Sequence, residues 1–164
     1  MEVGDADAIR ELAGLYRDGE MGLPRNRNKA MKLWLRAGEL GCATAHCRVG
    51  FAYFEGRGVE RDAEKAKYYW ELAAKAGNVI ARHDLGVMEG NAGNMDRAAK
   101  HWMISAGAGY DKSLEAIQKG YVNGHVTKDD FEKALRAHKE AKDEMRSDQR
   151  EEAAMDQNFL SSQS

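Results

Sequence analysis

The chain has 164 residues, with 25 basic and 27 acidic side chains and a formal net charge of −2. This balance argues against a general electrostatic attraction to nucleic acid or to an anionic membrane. No apolar run approaches the ~18 residues that a membrane span needs, and the N-terminal stretch MEVGDADAIR lacks the basic and apolar regions of a secretory signal. We therefore expect neither a nucleic acid nor a membrane as partner.

The composition and patterning favour an all-α chain. There is one proline in the whole sequence, alanine, leucine, lysine and glutamate are frequent, and no segment sustains the alternation typical of strands. The first helix is predicted from about Asp5 to Arg17, and Pro24 lies in the loop that follows. The second helix is predicted from about Arg27 to Glu39, with Gly41 ending it.

Four helices of the chain follow one pattern, which is clearest in DAEKAKYYWELAAKAG. Residues suited to cap a helix N-terminus recur at intervals of 36, 32 and 36 residues, at Asn26, Asp62, Asn94 and Asp130. An alanine follows each of these after four residues, and the eighth residue after them is Trp34, Trp70, Trp102 or His138. Glycines Gly41, Gly77 and Gly109 are predicted to end the first three of these helices. This self-similarity predicts a stacked helical-repeat protein.

The tryptophans could stack on a ligand or pack in the core. Each shares a helical face with small alanines that must meet a neighbouring helix, so core packing is favoured. Gly50 is predicted to allow a close approach of the next helix. Gly56 and Gly58 are expected to relax the second turn with Val59 beneath it, whereas the third turn, EGNAGN, is shorter and accounts for the 32-residue interval.

The last unit begins at Asp111, and Asp129 and Asp130 are interpreted as helix-start residues rather than general acids. Its second helix lacks a stop signal at Met145 and is expected to continue to about residue 154. We predict repeat units at about 5–41, 42–77, 78–109 and 110–145, a polar helical extension at 146–156 and a disordered tail at 157–164.

Cys42 and Cys47 are five residues apart on one predicted helix, so a disulfide between them is not expected. Reduced cysteines favour a cytoplasmic location, and a nuclear location and an origin with a clipped secretory signal are the alternatives. The histidines form no His-Glu-x-x-His motif, and there is no Cys-x-x-Cys, Gly-x-Gly-x-x-Gly or Walker pattern. We therefore expect no catalytic centre, no metal site and no cofactor.

The repeat resembles the Sel-1-like repeat family of the tetratricopeptide-like superfamily. The residues that carry the resemblance are Ala45, Val49, Gly50, Tyr53, Gly56, Gly58, Val59, Asp62, Lys65, Ala66, Trp70, Ala73, Ala74 and Gly77, with Val49 in a leucine position. The resemblance covers about residues 5–145; the shortened third turn and His138 depart from the family pattern. It implies a right-handed superhelix of about four antiparallel helix pairs, with the last helix extended, and the role of an adaptor between proteins.

In a tetratricopeptide-like stack, the first helix of each pair lines an inner groove. The resemblance therefore implies a candidate peptide-binding groove formed by Arg10, Arg17, Thr44, Cys47, Phe51, Phe54, Glu55, Ile80, His83, Val87, Lys112, Glu115 and Lys119. Phe51, Phe54, Ile80 and Val87 would form a central apolar strip between basic residues, an arrangement suited to peptide docking. The alternative is that the strip packs within the superhelix or against a neighbouring repeat.

We expect a non-enzymatic scaffold that binds a peptide or protein segment in this groove, and we favour a monomer. The alternative function is a structural or self-assembly module that joins other domains through its ends, without a groove ligand.

Overall fold

A computed structural model describes residues 3–162, with side chains from Asp5 onward, as eight helices and no strand within that range. The helices are α1 (Val3–Asp18), α2 (Arg27–Glu39), α3 (Ala43–Glu55), α4 (Ala63–Lys75), α5 (Val79–Asn91), α6 (Met95–Gly107), α7 (Asp111–Val122) and α8 (Lys128–Ser161). The helices α1 and α2, α3 and α4, and α7 and α8 pack against each other as pairs. The chain divides into two compact units, unit 1 up to Met88 and unit 2 from Glu89 onward.

In unit 1, α1 packs against α2, α2 against α3, and α3 against α4. One core cluster contains Ala30, Trp34 and Val49 of α2 and α3, with Val59 of the following turn packed against it. A second cluster joins Cys47, Trp70 and Leu85 of α3, α4 and α5. Because α3 contacts helices on several sides, more than one of its faces is buried.

All three tryptophans are in the core, which confirms the packing interpretation. Trp70 is 1% exposed, Trp34 6% and Trp102 8%. Gly50 lies directly against the Trp70 indole, where an added Cβ would be 2.5 Å from Nε1. The predicted close approach at Gly50 is confirmed.

The predicted helix ends are confirmed at three glycines with left-handed backbone. Gly41, Gly77 and Gly109 have φ values of 96°, 89° and 92°. In each case the glycine N–H and the following N–H donate back into the last turn of the helix, for example Gly77 N to Ala74 O at 3.1 Å. These bonds satisfy carbonyls that have no partner inside the helix.

Three of the four predicted N-cap residues lie at the N-cap of their helix, and two of these form the side-chain capping hydrogen bond. The side chains of Asn26 and Asp62 accept from the backbone N–H groups three residues later, at 2.9 and 3.0 Å. Asn94 precedes α6 but donates through Nδ2 to Glu89 Oε2 at 2.9 Å instead. The cap of α8 is Thr127, whose Oγ1 accepts from the N–H of Asp130 at 3.2 Å. The prediction that Asp130 caps α8 is wrong, although Asp129 and Asp130 do lie in its first turn.

In unit 2, α6, α7 and α8 pack against one another, with Ala98, Trp102, Ile117 and Ala134 buried. His138, in the tryptophan position of the last repeat, hydrogen-bonds through Nε2 to Asp111 Oδ1 at 2.8 Å. Hydrogen bonds from Lys142 and His138 hold the pKa of Asp111 below its usual range. Polar contacts between α7 and α8 therefore occur where the earlier helices have a buried tryptophan.

Helix α8 is longer than predicted. It continues to Ser161, so residues 157–161, predicted to be a disordered tail, are helical; residues 163–164 lie outside the described range. From Asp143 to Ser162 every residue is exposed. Four large apolar side chains lie on this extension; Met145 is 45% exposed, and Met155, Phe159 and Leu160 are each 63–68% exposed.

His46 predicts a pH dependence of stability in unit 1. Its imidazole lies between the backbone of α2, where Gly38 leaves no room for a Cβ, and the Tyr69 ring at 5.9 Å between centroids. Burial lowers the pKa of His46, and the charge of Glu39 opposes this only in part. As the pH falls, His46 is therefore protonated in the unfolded chain at a higher pH than in the folded protein. The free energy of unfolding decreases as a result.

We expect the free energy of unfolding to fall more steeply from about pH 7.5 to about pH 5.5 in the wild type than in the H46Q variant, since the ordinary histidine pKa of ~6.5 lies in this interval. Urea titrations of both proteins at the two pH values measure the difference. Equal losses in the two proteins would contradict the assignment to His46.

Candidate functional site

The best-defined cavity of unit 1 lies where α1, α2 and α3 converge. We call it the arginine pocket; its volume is about 370 Å³. It is lined by five arginines, two acidic residues and four apolar residues: Arg17, Arg25, Arg27, Arg48, Arg57, Asp18, Glu55, Ala30, Trp34, Phe51 and Ala52. This volume is near the lower end of the ~300–1,000 Å³ typical of ligand pockets.

The loop between α1 and α2 forms one side of the pocket. It turns through Gly19, Met21 and Gly22, which all have positive φ. Two hydrogen bonds fold it back onto α1: Asn26 N donates to Tyr16 O at 2.7 Å, and Arg25 Nε donates to Arg17 O at 3.2 Å. The loop thereby places Arg25 beside the C-terminal end of α1.

The loop between α3 and α4 forms the opposite side. Gly58, at φ 79°, lies so close to Arg27 that an added Cβ would be 2.7 Å from Arg27 Cβ. The second repeat thus contacts the first turn of α2 in the first repeat. The pocket is therefore built by both repeats of unit 1.

The pocket carries more positive than negative charge. Asp18 accepts from Arg17 through both carboxylate oxygens, with Nε to Oδ1 at 2.7 Å. Glu55 pairs with Arg57 Nε at 2.7 Å. The hydrogen bond from Arg17 lowers the pKa of Asp18, and the charges of Arg17, Arg25 and Arg48 lower it further. Both carboxylates are thus paired, and arginines remain in excess.

The base of the pocket is apolar. The Arg17 guanidinium lies 5.9 Å from the centre of the buried Trp34 ring. Phe51 is half-buried, with one edge against Trp70 at 5.3 Å between ring centroids and its remaining surface in the pocket. Positive charge therefore surrounds an aromatic floor.

The structure brings three of the predicted groove residues, Arg17, Phe51 and Glu55, into this pocket. Arg10 lies outside the pocket lining and pairs with Asp7 at 3.3 Å and Glu11 at 2.7 Å. Thr44 is half-buried in the first turn of α3.

Cys47 requires a correction, because it is 3% exposed and packs with Trp70 and Leu85. Its side chain faces the core between α3, α4 and α5, where it offers no surface for a ligand. Burial raises the pKa of its thiol to about 12. Cys42 and Cys47 are both free thiols.

The predicted apolar strip is partly packed in unit 1. Phe51 and Phe54 each contact Trp70 with centroids 5.3 Å apart, and Arg61 lies 5.7 Å from the Phe54 ring centre. On α5, Ile80 is 40% exposed, whereas His83 and Val87 are half-buried. The strip therefore contributes both to the core and to the surface.

The remaining predicted groove residues belong to unit 2. Lys112, Glu115 and Lys119 are exposed on α7. Glu115 and Lys119 line a shallow depression together with Gln118, Val122 and Asn123.

Helical periodicity did not predict the following pocket residues: Arg25, Arg27, Arg48, Arg57 and Trp34. Three of these arginines lie in loops or at a helix start, which a register along the first helices does not include. The signal that could have found them is the concentration of basic residues in PRNRN and in the GRGVER turn.

Within the described part of the chain, no group of three or more histidine, cysteine, aspartate or glutamate side chains is arranged to hold a metal ion. None of the described helices has both the length and the apolar character required to cross a membrane.

Comparison with known proteins connects unit 1 to a repeat family. The Sel1 repeat model matches residues 6–42 and 43–78. Two relatives from Arabidopsis thaliana are similar to part of the chain. The ERAD-associated E3 ubiquitin-protein ligase component HRD3B is 39% identical over 61 residues, which is 37% of this chain and 10% of that protein. The component HRD3A is 33% identical over 85 residues, 52% of this chain and 12% of that protein. The chain thus spans about a tenth of the length of these relatives.

Two solved structures have a similar fold. A Sel1 repeat protein from Oxalobacter formigenes has a TM-score of 0.71 at 24% identity, covering 84% of this chain and 58% of that one. A protective antigen of uropathogenic Escherichia coli strains, which displays an SLR fold, has a TM-score of 0.71 at 28% identity, covering 85% of this chain and 30% of that one. The predicted fold class, an all-α helical-repeat solenoid, is confirmed. Residues 6–42 and 43–78 thus match the Sel1 repeat, and the fold is similar to that of solved Sel1-like repeat proteins.

Proposed function

We propose that the protein is a non-enzymatic adaptor that binds a segment of a partner protein in the arginine pocket of unit 1. The observation that carries the proposal is the pocket itself, an aromatic floor surrounded by arginines at the junction of two Sel1 repeats. Concave surfaces with an apolar centre and a polar rim are typical of peptide recognition. The Sel1-like family, whose repeats act in protein interaction, supports the same role.

The structure offers a position at which binding can be weakened without disturbing the core. Arg48 is exposed on α3, lines the pocket, and makes no hydrogen bond or ion pair with another described residue. Reversing its charge places a carboxylate beside Asp18 and removes a cation from the pocket. Arg36 on α2 is a matched control, since it is 61% exposed, lies outside the pocket lining, and pairs only loosely with Glu39 at 3.6 Å.

We expect a partner protein retained by the wild-type chain and by the R36E variant to be reduced at least about tenfold on R48E, as loss of one charge-assisted contact predicts. Affinity purification of the three tagged proteins from the native cell, followed by quantitative mass spectrometry, measures this. Circular dichroism checks that all three are folded. Equal retention by R48E and R36E would show that the pocket is not the binding site.

A further inference from the structure

Only two of the five arginines of the pocket are paired with a carboxylate. Asp18 and Glu55 are paired with Arg17 and Arg57. Arg25 donates from Nε only to a backbone carbonyl. The side chains of Arg27 and Arg48 make no hydrogen bond or ion pair within residues 3–162. The pocket therefore offers guanidinium groups to a ligand with negative charge.

Guanidinium groups recognise carboxylates through two parallel N–H donors, with better geometry than an ammonium group provides. Arg27 and Arg48 come from different helices, α2 and α3, on two sides of one cavity. A ligand with two carboxylates joined by a spacer has one carboxylate for each of the two guanidinium groups.

The apolar side chains at the base of the pocket indicate that this spacer is apolar. Phe51 and the Trp34 ring provide apolar surface beneath the arginines. The cavity of about 370 Å³ has room for one bulky apolar side chain and the groups next to it. Asp18 and Glu55 on the rim disfavour a ligand with continuous negative charge, such as a nucleic-acid backbone, because it would pass close to both carboxylates.

From this arrangement we infer that the arginine pocket binds an acidic peptide segment in which carboxylates flank one bulky apolar side chain. The inference rests on the proposed function and names the chemistry of its partner. The apolar side chain contacts Phe51 and Trp34, and the flanking carboxylates pair with Arg27 and Arg48.

The test is a fluorescence-anisotropy titration of the 164-residue protein with four labelled peptides. The first has one leucine between glutamates. In the other three, glycine replaces the leucine, glutamines replace the glutamates, or lysines replace the glutamates. We expect the first to bind best, and each replacement to weaken binding at least about tenfold. Raising the salt from about 50 to about 500 mM is also expected to weaken it.

Three protein variants assign the binding to the pocket. R48E and R27E are each expected to lower the affinity for the acidic leucine peptide at least about tenfold. R36E is expected to leave that affinity within about twofold of the wild type. Circular dichroism of each variant separates loss of binding from loss of fold.

Several results would overturn the inference. These are equal binding of the glutamine or lysine peptide, no binding of the acidic leucine peptide, or tighter binding of a short single-stranded RNA. A native partner that depends on Arg48 but has no acidic segment would overturn the inference and leave the proposed function standing.

Discussion

Truncation of Trp70 to alanine is expected to lower the free energy of unfolding by about 3–5 kcal/mol, the range for deleting a large buried aromatic side chain. Trp70 is 1% exposed and forms the centre of the core cluster shared by α3, α4 and α5. Its ring contacts both Phe51 and Phe54, with centroids 5.3 Å away, and its Nε1 donates to Cys47 O at 3.2 Å. The truncation removes all of these contacts together and leaves a cavity that rigid neighbouring helices fill only in part.

Urea denaturation followed by far-UV circular dichroism measures this loss. Tyr68 provides a matched control on the same helix, because it is 56% exposed and its ring centroid lies 5.1 Å from that of Tyr69. The Y68A variant is expected to lose no more than about 1 kcal/mol, as for other surface positions. A loss in W70A as small as that in Y68A would contradict the central role of Trp70 in the core.

The burial of the tryptophans was predictable from the sequence because it depends on local periodicity. Trp34, Trp70 and Trp102 each share a helical face with alanines, and a face of that kind must pack against a neighbour. The stop glycines are equally local, since a left-handed residue after the last turn requires a residue without Cβ. These features recur with the repeat, and the number and order of the helices follow from them.

The N-caps are a feature that the residue type alone does not predict. Asn26 has an extended backbone, with φ −143° and ψ 92°, which directs its side chain at the N–H three residues later. Asn94 has ψ 64° in the shortened third turn and bonds to Glu89 instead. A residue type suited to capping is therefore not sufficient, because the backbone of the preceding turn decides whether the cap forms.

The candidate site likewise contains some residues that the sequence predicts and others that depend on tertiary structure. Arg17, Phe51 and Glu55 follow from helical register, whereas Arg25 and Arg27 reach the pocket through loop conformations that depend on positive φ at several residues. Cys47 was misplaced because the register assumes one buried face for α3. In the structure α5 covers a further face, through Ala81 and Leu85. Contacts between one helix pair and the next, which the sequence of one repeat does not contain, thus determine which side chains of α3 remain accessible.

Replacing Gly50 with alanine is expected to destabilise the protein by about 1–3 kcal/mol, although alanine is the better helix former by about 1 kcal/mol. The new Cβ would lie 2.5 Å from Trp70 Nε1 and 2.9 Å from Cγ. The indole is held by its hydrogen bond to Cys47 O and by the two phenylalanines, so it has little freedom to retreat. Overpacking therefore outweighs the gain in helix propensity.

Gly14 in α1 is the matched control, since an added Cβ there meets no atom within 4 Å. G14A is expected to stabilise the protein by about 0.5–1 kcal/mol, the propensity difference alone. In the W70A background the obstacle at Gly50 is absent, so adding G50A there is expected to be neutral or stabilising by up to about 1 kcal/mol. Urea denaturation of G50A, W70A and the double variant completes a double-mutant cycle. If G50A costs as much without the indole as with it, the contact between α3 and α4 is not what requires glycine at this position.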